Sequence, residues 1–367
     1  MPKKNQRGDA RSSFYISDMP IDLLKKASQG ERISPEEALI LWQKAPWTSL
    51  VEIGDALRRQ RLDPDRVSYT AYRLINYTNV CDIGCSFCSF QDEVASKRAY
   101  VLSLDEIRAK AEGAKAMGAD QVLFQGGTHV GIPKQYYLDA LNLLHHDMGM
   151  HVRGFSPIEI QRYAQNFGQT IPEFLSEMKA AGLGSVPGAG AELLTARMRK
   201  RLSPRKLSRE DWCLVMGECH KAGLPGSANI VFGSNEEPED IIGHLEAIRT
   251  QQDQTGGFLS FVPWIFQPQT RKFFVRHVTG PEYLRMVALC RIFFDNILHI
   301  EASGLVMGPE LAELALHSGA DDVNSYVIEE NVLRSRGFQN EAAIQNFIRN
   351  AGFEPQRRTL NFDGEQP

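Results

Sequence analysis

The amino-acid sequence predicts an α/β protein, a (β/α)8 TIM-type barrel with a helical N-terminal extension. From about residue 70 onward, short apolar runs alternate with amphipathic helical patterns, separated by Gly and polar turns. Most of these runs are unbroken rather than alternating, as expected for parallel strands covered on both faces. Eight strand-then-helix units follow in a row, and eight closes a barrel when every crossover is right-handed. An open six-strand arc with the last two units packed elsewhere is the other arrangement the pattern allows.

Residues 1–70 form the extension, with helices at Pro20–Ser28 and Pro35–Lys44 and no evident strand. Residues 71–367 form the barrel and its C-terminal segment. The candidate strands are Tyr72–Val80, Gln121–Gln125, His151–Phe155, Gly184–Pro187, Ser227–Phe232, Gly257–Pro263, Leu298–Ala302 and Asp321–Ser325. Between them the helices announce their ends. Ser103 with Glu106, and Thr170 with Glu173, have the spacing of a capping box. Gly118 and Gly182 mark the corresponding stops. Ser208 caps the stretch through Lys221, and Gly223 is its left-handed terminator. Pro133, Pro238 and Pro309 fall at first turns, where a helix tolerates proline.

The 367 residues carry 41 Lys+Arg against 45 Asp+Glu, a net charge of −4, with 43% hydrophobic and 23% charged residues. This usage excludes a disordered or collagen-like chain. The near-neutral balance gives no electrostatic case for a nucleic-acid or acidic-membrane partner. No apolar window reaches the ~18 residues of a membrane span. The basic start (Lys3, Lys4, Arg7, Arg11) is not followed by the apolar stretch of a secretory signal. Six cysteines in a chain of this length do not make a disulfide scaffold; they point to a reducing, cytoplasmic setting in which thiols bind something.

A barrel puts its chemistry where strands end. The first strand runs into Cys81-Asp-Ile-Gly-Cys85-Ser-Phe-Cys88, a C-x3-C-x2-C spacing. Three thiolates on so tight a loop suit a cubane iron–sulfur cluster with one iron left open. A small amine and carboxylate can chelate that iron, and S-adenosylmethionine carries both. A structural zinc site would need a fourth ligand, and His129 or His151 could reach it only through the fold. An electron-transfer cluster completed by distant Cys213 is a third arrangement. Cys213, Cys219 and Cys290 lie on predicted helices, where burial as small apolar groups is their default.

The cluster loop resembles that of the radical S-adenosylmethionine superfamily. Over roughly residues 30–360 the chain is most similar to the cyclic dehypoxanthine futalosine synthase family of the futalosine route to menaquinone. The segments that carry the likeness are Tyr77–Phe90, Gln125-Gly126-Gly127, Phe155–Glu159, Pro187–Glu192, Phe261–Pro268 and Ile328–Asn331. Aminofutalosine synthase and the deazaflavin (F0) synthase subunits are sister families.

The resemblance implies a [4Fe–4S] cluster on Cys81, Cys85 and Cys88, with Gln125, Gly126 and Gly127 at the methionine ammonium. It implies the adenosine ribose near Ser156 and Glu159; capping a helix is an equally good account of that pair. Glu192 and Arg201 follow the fourth strand, and Arg201 is a candidate for the methionine carboxylate, although Arg197, Arg199, Lys200, Arg205 and Lys206 crowd round it. Phe87 would lie against the adenine or simply pack its loop. Thr128, His129, Glu236, Trp264, Gln267, Thr270, Ser303 and Glu329 would line the substrate end, each also open to a structural role. Glu301 is the candidate base.

In that family a flavodoxin- or ferredoxin-type donor reduces the cluster, and cleavage of the sulfonium gives a 5′-deoxyadenosyl radical. The radical takes hydrogen from the substrate's ribose, the sugar adds to the benzoate ring, and rearomatisation leaves a product two hydrogens lighter. Two segments depart from the family pattern. Gly233-Ser234-Asn235-Glu236 stands where Gly-His-Val-Glu is usual, and Ala302-Ser303-Gly304 replaces Ala-Ser-Trp. Both enlarge and repolarise the pocket, which keeps open a diverged paralogue acting on a related nucleoside or aromatic substrate.

Overall fold

The structure, a computed structural model, describes residues 19–267, 275–302, 308–325, 338 and 340–362. The ring of strands starts with a strand interrupted at Ala71. Its two parts, β1 (Arg66–Thr70) and β2 (Tyr72–Ile75), pair with different neighbours. β2 lies beside β3 (Gln121–Phe124), followed by β4 (His151–Gly154) and β5 (Leu183–Ser185), all parallel. A Val186–Gly226 bridge leads to β6 (Gly226–Phe232), then β7 (Phe258–Ile265) and β8 (His299–Ile300). A Glu301–Asp322 bridge leads to β9 (Asp322–Ser325), which pairs back onto β1. With β1 and β2 taken as one, eight parallel strands close on themselves. The barrel expectation holds, and the open arc is excluded.

Two strands escaped the sequence pattern. Arg66–Thr70 falls in the extension, where no strand is evident from the sequence; its Val67–Thr70 stretch is buried in the ring. β10 (Glu354–Arg357) pairs with the free edge of β1 that β3 leaves by lying against β2. Around the ring, the expected caps form. Ser103 Oγ accepts from the Glu106 N–H at 3.2 Å while Glu106 accepts from the Ser103 N–H at 2.7 Å, and Thr170 with Glu173 repeats this.

The extension comprises α1 (Ile21–Ser28), α2 (Pro35–Lys44) and a helix the sequence pattern missed, α3 (Trp47–Arg61). Gly54 explains why α3 fits where it does. A Cβ at this position would fall 2.4 Å from the Ser318 carbonyl oxygen and 3.1 Å from Ala288 Cα. The backbone of α3 therefore lies directly on the helix Gly280–Phe293 that covers the barrel.

Inward-facing residues alternate along the strands, as a pleat requires. Tyr72, Leu74 and Asn76, then Ser227 and Asn229, then Val262 and Trp264 all face one cavity of about 410 Å³. Its floor is polar rather than the usual packed branched aliphatics, and its mouth lies at the C-terminal ends of the strands.

Candidate active site

The three cysteines follow β2 directly and line this cavity on one side. What holds their loop in place begins at Gly127. A Cβ there would meet the Val80 carbonyl oxygen at 2.1 Å and Cys81 Cβ at 2.9 Å. The two loops approach so closely that only glycine fits between them. Behind Gly127, Tyr163 OH donates to its carbonyl at 2.8 Å and lies 2.9 Å from Tyr77 OH, which donates to Glu159 at 2.5 Å.

Glu159 is buried and serves as the anchor of this network. One oxygen accepts from Tyr77 OH and from the Gly126 N–H (3.0 Å), the other from the Ser156 N–H (2.7 Å) and hydroxyl (2.5 Å). These four donors fill the acceptor positions of a carboxylate. Ser156 and Glu159 thus form the capping box of the helix Pro157–Asn166 and face the cavity from that position. Burial raises the Glu159 pKa despite these bonds.

The opposite wall is charged. Glu192, held at a positive φ of 37°, accepts from Lys206 Nζ at 2.6 Å and Arg199 Nη1 at 3.2 Å, all three side chains largely buried. Burial opposes the Glu192 charge, but Lys206 and Arg199 outweigh it and hold its pKa below the ordinary value. Lys206 also lies 5.5 Å over the Phe87 ring, and Phe87 meets Phe266 edge-on at 5.8 Å.

At the floor, Glu301 accepts from Asn324 Nδ2 at 2.5 Å and from the Ser260 hydroxyl, with Arg358 3.6 Å away. Burial raises its pKa against the pull of Arg358. Arg358 spends its fork on Asp322, including one contact of 2.9 Å, and Arg153 completes the layer.

Cys81, Cys85, Cys88, Phe87, Gln125, Gly126, Thr128, Ser156, Glu159, Glu192, Trp264 and Glu301 all line the cavity. Others do not. Arg201 is exposed, with Nη1 3.5 Å from the Asn235 carbonyl, whereas Lys206 and Arg199 bond Glu192. Consecutive helical residues turn by about 100°, so Arg199 facing inward sends Arg201 outward. Glu236 closes its own turn, accepting from the Gly233 and Ser234 N–H groups at 2.6 and 2.7 Å. His129 Nδ1 accepts from the Gly131 N–H at 3.2 Å, and neither it nor Gln267 reaches the cavity wall. Thr270, Ser303 and Glu329 lie outside the described residues. Sequence reasoning missed Tyr77, Tyr163, Arg153, Lys206 and Arg358. An inward polar residue at strand spacing was the available signal for Arg153.

The donor set fits a multi-iron cluster better than a single ion. Soft thiolates select zinc or iron–sulfur clusters. Burial pushes the Cys85 thiol up to about 11. The buried Oδ1 of Asn229, a residue lining the cavity, has no partner among the described residues, as a group awaiting a polar ligand does.

Comparison with known proteins bears on what occupies this cavity. Two family models match, the Radical SAM superfamily over residues 75–248 and the CofH/MqnC C-terminal region over residues 255–366. The chain is 38% identical to the cyclic dehypoxanthine futalosine synthase of Streptomyces coelicolor, across 93% of this chain and 88% of that protein. It is 34% identical to the 5-amino-6-(D-ribitylamino)uracil–L-tyrosine 4-hydroxyphenyl transferase of Methanocaldococcus jannaschii, across 90% and 96%. Among solved structures, methylornithine synthase superposes with a TM-score of 0.71 at 17% identity, covering 91% of this chain and 97% of that one, a likeness of fold. No described helix is long and apolar enough to cross a membrane.

Proposed function

We propose, from the premise that this chain belongs to the radical S-adenosylmethionine superfamily and its branch of cyclic dehypoxanthine futalosine synthases and their relatives, that it cyclises dehypoxanthine futalosine. The observation that carries this reading is the sequence likeness, continuous from the cysteine loop through the C-terminal region. Cys81, Cys85 and Cys88 would hold a [4Fe–4S] cluster, and Gly126 and Ser156 border the S-adenosylmethionine site. When bound, these groups supply reductive sulfonium cleavage and a hydrogen-abstracting carbon radical, the electron coming from a flavodoxin- or ferredoxin-type donor.

The protein's part is enclosure and placement. Phe87 and Trp264 offer aromatic walls, and Leu74 and Val262 give the cavity an apolar waist for an aromatic ring. Glu192 keeps Lys206 and Arg199 fixed near the cysteines. Glu301 is the base of choice for rearomatisation, because burial raises its pKa toward the range where a carboxylate accepts a proton effectively.

A second reading, transfer of an aromatic fragment of tyrosine to a uracil, is favoured by the identity to the hydroxyphenyl transferase, only four points lower. One anaerobic assay separates the two. Reconstituted enzyme receives S-adenosylmethionine, dithionite and dehypoxanthine futalosine. The cyclase reading expects 5′-deoxyadenosine and a product two hydrogens lighter than substrate. Unchanged substrate refutes it, and a coupled product from tyrosine and the aminouracil would establish the second reading. Alanine at each of Cys81, Cys85 and Cys88 should abolish both iron retention and turnover.

A further inference from the structure

The cavity floor holds a buried cation that no carboxylate among the described residues contacts directly, although Glu301 and Asp322 lie close enough to favour its charge. Arg153, on β4, is 7% exposed and faces the barrel interior. Its Nε donates to Ser185 Oγ at 3.2 Å and its Nη2 to the Leu360 carbonyl at 2.5 Å. These bonds use two of the five N–H donors of a guanidinium. Nη1 has no partner among the described residues, and no carboxylate there forms an ion pair with Arg153.

The nearby acids are committed elsewhere. Asp322 is held by Arg358 and by the Ser68 hydroxyl at 2.6 Å, and both Glu301 oxygens accept bonds from Ser260 and Asn324. Two arginines therefore share a floor with one carboxylate fully engaged and another whose ionisation burial opposes. Burial pulls Arg153 down to about 10, so it remains a cation at neutral pH. An isolated buried charge costs several kcal/mol unless something pairs with it. The unused edge of this one faces the cavity.

We propose that the open edge of Arg153 is the seat of the substrate's carboxylate, at the closed end of the cavity. Arg153 lies on β4, before the turn at Phe155 that carries the chain to Ser156 at the rim, and so sits below the rim. A substrate anchored there by its acid group lies along the barrel axis with its far end toward the cysteines. The planar fork also favours a carboxylate over a neutral isostere, since it offers parallel N–H donors. This inference rests on the radical-enzyme reading above. It concerns a carboxylate as such, whether of a benzoate or of an amino acid.

The test compares acid with carboxamide on the reconstituted holoenzyme. Wild type should bind the carboxamide of dehypoxanthine futalosine roughly 30-fold more weakly than the acid, within the range for a hydrogen bond to a charged group. Arg153→Met should raise KM for the acid by a similar factor and bring the acid-to-amide ratio within about threefold, while Arg153→Lys should restore an intermediate ratio. A purely structural arginine would instead lower kcat or melting temperature and leave the ratio unchanged. A wild-type ratio near one, or a wild-type ratio persisting in Arg153→Met, overturns the proposal, and the wild-type comparison decides even if the variant does not fold. If wild type leaves dehypoxanthine futalosine unconverted, the cyclase reading has failed separately. L-tyrosine against its amide then tests the same seat: an acid preference of similar size supports it, and equal binding overturns it.

Discussion

Replacing Glu192 by alanine would remove the one carboxylate that two buried cations share. Lys206 Nζ lies 2.6 Å from one of its oxygens and Arg199 Nη1 3.2 Å from the other, with side-chain exposures of 12%, 8% and 11% for Lys206, Arg199 and Glu192. Arg199 already has two guanidinium nitrogens buried without partners among the described residues. Breaking a buried ion pair from one side costs about 3–5 kcal/mol. At roughly 2.1 cal/mol/K of unfolding entropy per residue, a chain of 367 residues loses about 4–6 °C of melting temperature. Alanine is the right replacement because the position has φ of 37°, which glycine would relieve and alanine does not. The assay is a thermal melt at matched iron content for the wild type, Glu192→Ala, Lys206→Met and the double variant. Lys206→Met alone leaves Glu192 paired with Arg199 and should cost less. The double variant should melt above Glu192→Ala, because one stranded cation has gone. A drop below 1 °C in Glu192→Ala, or strictly additive losses in the double variant, would refute the shared-carboxylate account.

Gly127→Ala drives a methyl group into the Val80 carbonyl and Cys81, which must retreat by about 1 Å at a cost of roughly 1–3 kcal/mol; iron bound after reconstitution should fall below half of wild type, with an unchanged circular-dichroism spectrum. Tyr77→Phe leaves Glu159 and Tyr163 without their shared hydroxyl and should destabilise by about 1–3 kcal/mol, read as a lower urea midpoint. Burial lowers His244 to about 3, so the unfolded chain protonates first as pH falls. The stability this histidine allows is complete above about pH 6.5 and declines toward pH 3, by about 2 kcal/mol at pH 5. His244→Asn keeps an acceptor for the Leu194 N–H and should show a shallower loss between pH 7 and pH 5.

The ring of strands and the cysteine loop were legible because both are local signals. Apolar runs repeated after each helix, and C-x3-C-x2-C is complete within eight residues. Capping boxes at Ser103 and Thr170 were legible for the same reason. Arg66–Thr70 was not, since a five-residue strand entering on an arginine carries no helix-to-strand contrast. Which of the basic residues from Arg197 to Arg201 turn inward depends on helix phase, which composition does not supply. The floor was hidden for a different reason. Arg153 and Leu360 are 207 residues apart, and Ser68 and Asp322 are 254 apart, so no spacing rule brings them together.

That same separation governs how the molecule comes into being on the ribosome. Arg153 is synthesised long before Leu360 and Arg358, the groups that settle the floor beneath it, and β1 waits equally long for β9 and β10. Until those late residues emerge, the nascent half-barrel has an unpaired edge and raw charges inside it. Such an edge is of the kind that aggregates before folding is complete, and β9, β10, Arg358 and Leu360 are what cover it and settle the floor.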